Sequence, residues 1–106
     1  MVSRKLVLLL VLLVSACSSA EKKPTQKKEI DLVKAGTIFR SMCGICHGDD
    51  GKLGLAGAKD LSLSTLDLNE MKAIIKYGKG NMPPFVDRLS DVEIELLAIY
   101  IDKFKP

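Results

Sequence analysis

The stretch SMCGICHGDDGK, residues 41 to 52, constrains this chain more than any other. It sets Cys43 and Cys46 three positions apart and follows them at once with His47, the only histidine. Side chains three and four positions apart share one face of a helix. Any fold of this chain must therefore bring two thiols and an imidazole to one point and build outward from there.

Whether those thiols are available depends on where the chain resides. Arg4 and Lys5 precede LVLLLVLLV, residues 6 to 14, an unbroken apolar run. The run is too short for a bilayer span, which needs roughly 20 residues, and has the length of the apolar region of an export signal. It ends in V-S-A-C, residues 14 to 17, which resembles the lipobox of bacterial lipoproteins. That resemblance implies removal of residues 1–16 and acylation of Cys17, so the chain is expected to be exported and lipid-anchored to a membrane facing the periplasm or cell exterior. Of three cysteines, Cys17 is then committed to lipid, and the pair at 43 and 46 remains. Without the leader the chain carries 14 basic and 13 acidic side chains, a balance that gives no case for nucleic acid. Residues 17–29 lack apolar periodicity and contain a proline, which predicts a flexible tether before a domain over 30–106.

The domain reads as all-α, with three main helices and long loops. In residues 30 to 43, Leu32, Ala35, Gly36, Phe39 and Met42 recur at helical spacing. Mid-helix glycine costs about 1 kcal/mol against alanine, so Gly36 suggests a close backbone neighbour. A second helix opens with Asp67 and Glu70 as a capping box, with Leu66 set to staple onto Met71, and Gly78 is placed to end it. A third opens with Ser90 and Glu93 in the same arrangement and carries Ile94, Leu97, Ala98, Ile101 and Phe104 as its stripe. Between the motif and the second helix lies an irregular stretch, residues 48 to 62, with four glycines. A loop of that length is uncommon unless something functional organises it. Three short helices without tryptophan make a thin core, so a further apolar body at the centre is expected.

Three chemistries use C-x-x-C. A thioredoxin-like dithiol wants the motif after a strand at a helix start, but here it ends a helix. Structural zinc needs four ligands, and Cys43, Cys46 and His47 supply three. C-x-x-C-H is the attachment signature of c-type haem, with thioethers on both cysteines and the histidine beneath the iron. A second axial ligand is then required. In GKGNMPPF, residues 78 to 85, Met82 sits in a loop where Gly78 and Gly80 permit close approach and Pro83 and Pro84 stiffen the backbone. Met42 abuts the motif, and Met71 lies on a core helix face.

With these residues in place, the chain resembles the class I monohaem cytochromes c of the small bacterial type, over about residues 30 to 106. The resemblance implies haem c with its iron as cofactor, a cytochrome c fold around it, and His47 and Met82 as axial ligands. It also implies a crossing of first and last helices at Gly36, Phe39, Leu97 and Tyr100. The haem pocket is expected to include Leu53, Leu61, Ile75, Pro83 and Phe85, although core packing alone would account for the two leucines. The family usually has a proline after the motif, and none occurs between Cys43 and Met82 here; a backbone carbonyl near Ala58 is the expected acceptor for His47.

The function implied is one-electron transfer between redox protein donors and acceptors near a membrane, with no small-molecule substrate and no catalysis. The competing readings are a haem-based ligand sensor, a peroxidase-like enzyme, and the electron-entry subunit of a larger redox complex. Lys72, Lys76 and Lys79 run toward the Met82 loop, either as a surface that steers an acidic partner or as an ordinary solvated face.

Overall fold

The computed structural model describes residues 23–106. The expected leader over 1–16, Cys17 and the first part of the tether lie outside the described residues. Helix α1 spans Pro24–Ile38, and after a π-helical turn, Phe39–Cys43, a short α2 spans Gly44–His47. The later helices are α3, Leu68–Tyr77, and α4, Asp91–Asp102. Among the described residues there is no strand, only an isolated antiparallel bridge between Lys79 and Met82. The fold is all-helical, as expected.

Helix α1 begins six residues earlier than the apolar pattern suggests, so that residues 24–29 of the expected tether are helical. Pro24 stands in its first turn, where its fixed φ favours a helix start and its missing N–H costs nothing. Lys, Gln and Glu then extend the helix at little cost. All of residues 23–30 are exposed, and a helix extended without burial leaves no periodic pattern to read.

Both capping boxes form. Asp67 accepts from the N–H groups of Asn69 and Glu70, and Glu70 accepts from the N–H of Asp67. Ser90 and Glu93 repeat the exchange at the start of α4. Glu93 also reaches Lys34 of α1 at 3.1 Å. The Ser90 N–H, then the Lys34 ammonium and the Ser90 hydroxyl, hold the Glu93 carboxyl below its ordinary pKa. A depressed carboxylate stabilises the fold at pH above its unfolded value, and this contribution fades as pH falls through the folded one. Glu93→Gln is therefore expected to lower stability at neutral pH and to converge on wild type in acid. Thermal melts of both proteins across that range check this.

Helix α4 packs against both α1 and α3 and holds the core together. Phe39 and Leu97 are fully buried, as are Ala35 and Ala98. A Cβ added at Gly36 would lie 3.1 Å from Tyr100 Cε2, so the absent side chain is what lets the α4 tyrosine lie against α1. The rings of Phe39, Tyr100 and Phe104 form a triangle with centroids 5.2–5.6 Å apart. Lys103 and Lys105 lie past the end of α4. Lys105 donates to the Leu66 carbonyl at 2.7 Å and pairs with Asp102 at 2.8 Å, tying the C-terminus to the entrance of α3.

Candidate haem site

The π turn sets the motif. The Gly44 N–H reaches back to the Phe39 carbonyl, five residues away, and widens the helix before α2 begins. Such turns insert an extra residue and are frequent at functional sites. Cys43 is thereby turned inward, at 8% exposure, while Cys46 and His47 stay half-buried. Burial pushes the Cys43 thiol up to about 11, against a smaller opposing effect of Arg88. Helix α2 stops at Gly48, whose φ of 77° belongs to the glycine-favoured region.

The stretch after the motif folds back onto it. The Leu53 N–H donates to the His47 carbonyl at 2.9 Å, and the Leu61 N–H donates to the Gly51 carbonyl at 2.9 Å. Two 3₁₀ turns, Leu55–Gly57 and Leu61–Leu63, organise the rest. His47 Nδ1 lies 3.0 Å from the carbonyl oxygen of Lys59. A carbonyl can only accept, so Nδ1 carries a proton, and in the neutral tautomer this leaves the lone pair on Nε2. The acceptor is thus the residue after Ala58, and a backbone group does the orienting that the missing proline left open.

Met82 belongs to a tight hairpin. Lys79 and Met82 exchange two backbone hydrogen bonds, at 3.0 and 3.1 Å, around Gly80 and Asn81. Beyond it, the Phe85 N–H donates to the Ile75 carbonyl and the Val86 N–H to that of Lys76, folding the chain against the end of α3. Gly78 ends α3, as the sequence suggests. A Cβ there would lie 2.5 Å from the Met82 carbonyl oxygen and 2.9 Å from Pro84 N, so it makes room for the loop's own backbone. Gly80, at φ 57°, lies in the backbone region that favours glycine. Gly78→Ala is expected to cost roughly 1–3 kcal/mol from backbone strain alone, since φ 74° and ψ 171° are nearly glycine-only, and the collision adds to this. Denaturant unfolding measures the loss.

Of the expected pocket residues, Ile75 and Phe85 are buried in the core, and Leu61 is half-buried against it. Leu53 and Pro83 are exposed. Met82 is half-buried and packs on the core, and Asn81 Nδ2 donates to the Ala56 carbonyl at 3.5 Å, joining its loop to the post-motif turns. Lys76 does not belong to an open basic face. It pairs with Asp91 at 2.7 Å, which raises its pKa, and lies over the Tyr77 ring. Lys72 and Lys79 have no ion-pair partner among the described residues.

The donor set fits a c-type haem. Two thiols precede an imidazole held through its Nδ1, and a thioether stands in a braced loop. Of the leucines between the motif and α3, Leu53, Leu55 and Leu63 are exposed, while Leu61 and Leu66 pack against the core.

Comparison with known proteins agrees. Residues 31–101 match the family model described as cytochrome c oxidase, cbb3-type, subunit III. Cytochrome c6 of Leptolyngbya boryana is 36% identical over 77 residues, covering 67% of this chain and 89% of its own length. The cbb3-type cytochrome c oxidase subunit CcoP of Helicobacter pylori is 34% identical over 100 residues, covering 83% of this chain but 32% of that subunit. The menaquinol:cytochrome c reductase cytochrome c subunit of Bacillus subtilis is 36% identical over 90 residues, with 35% of its length covered. The chain belongs to the cytochrome c family, as a small monohaem class I member. Its cofactor is covalently bound haem c, and the work of the family is electron transfer. Among the described residues, no helix is long and apolar enough to cross a membrane.

Proposed function

We propose that this chain is a one-electron carrier with haem c bound through Cys43 and Cys46, His47 and Met82 as its axial ligands, and a lipid anchor on Cys17 outside the cytoplasm. The observation that carries the reading is the 3.0 Å hydrogen bond between His47 Nδ1 and the Lys59 carbonyl. It fixes one tautomer and one ring orientation beside the two thiols, which is what a metal-ligating histidine needs. When bound, haem iron supplies the one-electron couple, and a soft thioether opposite an imidazole favours its ferrous form.

The remaining work falls to the polypeptide. The Lys79–Met82 hairpin holds a weak ligand in place. Ile75, Phe85 and Leu61 supply apolar walls, with Leu53 and Pro83 at the rim. With His47 and Met82 both holding the iron, no position would be left for a substrate, and the chemistry supplied would be electron transfer. The test is the absorption spectrum of the oxidised and reduced protein at neutral pH. The expected result is a low-spin haem c with a methionine-to-iron charge-transfer band in the oxidised form. A high-spin spectrum lacking that band sinks the ligand assignment and favours a sensor.

A second reading is supported by the two relatives that are subunits of an oxidase and a reductase. In it the domain delivers electrons as part of a membrane complex. Co-migration of the haem with larger subunits in gently solubilised membranes would select this over a separate carrier.

A further inference from the structure

The face of α1 turned away from the core is not an ordinary solvated surface. Ala35, Gly36 and Phe39 point into the protein. Helical geometry puts Lys23, Ile30 and Val33 on the other side, with Arg40 continuing that side past the helix and Lys27 at its edge, where it also borders a groove with Leu96 and Ile99 of α4. Ile30 is 50% exposed and Val33 66% exposed, and the three cations are exposed with them. The acidic side chains of this stretch, Glu29 and Asp31, fall at the two edges of that face, and none occupies the first turn of α1. Lysines at the positive end of a helix macrodipole are unfavourable unless anions lie close by. Lys34 shares this side but is joined to Glu93.

We infer that this face rests on anionic phospholipid headgroups, with Ile30 and Val33 dipping into the interface and Lys23, Lys27 and Arg40 meeting phosphates. The inference rests on the reading of Cys17 as the lipid anchor, because the chain from Cys17 to Lys23 spans at most about 20 Å. That length keeps the start of α1 beside the bilayer. Cations flanking exposed apolar side chains on one helix face are the composition of an interfacial helix. Helix α4 packs on the opposite side of α1, so the contact holds α4 and the α3 surface away from the bilayer and toward soluble or membrane-borne partners.

The experiment uses the mature, haem-loaded protein reconstituted into vesicles of phosphatidylcholine alone or mixed with phosphatidylglycerol. Lysine acetylation rates are read residue by residue by mass spectrometry, and intact mass reports acylation of Cys17. Labelling of Lys23 and Lys27 is expected to slow about fivefold on the anionic vesicles, the factor equal to ~1 kcal/mol per cation at such a surface. Lys52 and Lys103, exposed elsewhere, should be unchanged. High salt should remove the protection, and so should the double variant Ile30→Asp with Val33→Asp, whose exposed positions leave the haem spectrum as in wild type. Equal rates on both vesicles in an acylated chain overturn the membrane face and leave the anchor standing. Protection on anionic vesicles in a chain without acyl mass keeps the face and discards the anchor. Protection in native membranes but not on anionic vesicles assigns the face to a protein and overturns the inference.

Discussion

Met82→Ala is expected to lower the reduction potential by on the order of 0.1 V or more, within the roughly 0.8 V that axial ligands control, and to open a coordination position. The reduced variant should then bind carbon monoxide readily at neutral pH, where wild type binds it poorly. The expectation rests on what surrounds the thioether. Met82 is half-buried against the core, and its backbone is clamped by two hydrogen bonds to Lys79. Truncation to alanine removes the sulfur and leaves that clamp in place, so the loop has no reason to supply another ligand. The nearest alternative in the loop is Lys79, which must lose its proton first. A lysine-ligated form should therefore appear only as pH rises, and carbon monoxide binding should fall with it. Wild-type protein that binds carbon monoxide as well as the variant does would mean an open iron, and the carrier reading would yield to a sensor.

The parts of this molecule that were legible beforehand are those written in side chains. Asp67 with Glu70 and Ser90 with Glu93 announce helix starts because the capping groups are local in sequence. Gly36 announces a close neighbour because a missing Cβ mid-helix has a cost, and Tyr100 lies there; the crossing that joins Phe39 to Leu97 and Tyr100 is implied by the family resemblance. What was not legible is written in backbone or in pairs distant along the chain. The acceptor for His47 is a peptide carbonyl, which every residue has, so only the neighbourhood of Ala58 could be named and not Lys59. The removal of Lys76 from the basic row depends on Asp91, fifteen residues away and brought near by packing of α3 on α4. The π turn at Phe39–Cys43 has no composition of its own, and the apolar pattern reads through it as plain helix.

His47→Ala is expected to have the largest effect of any single change: little or no haem-loaded protein should accumulate, although the polypeptide is made. The imidazole is the side chain that the Lys59 carbonyl orients. Without it the Lys59 carbonyl holds nothing, and attachment at Cys43 and Cys46 would fix a group with no ligand on that side. Lys59→Ala is the informative contrast. It removes an exposed side chain and keeps the carbonyl, so it should be nearly silent, within about 0.5 kcal/mol in stability and with an unchanged spectrum. Cys43→Ser should behave differently from both, since a buried hydroxyl replaces a thiol at 8% exposure and one covalent link is lost. Extraction of the pigment with acid and acetone separates these cases: wild type and Lys59→Ala should retain all colour in the protein pellet. Pigment that leaves the wild-type chain would show that Cys43 and Cys46 do not hold it covalently.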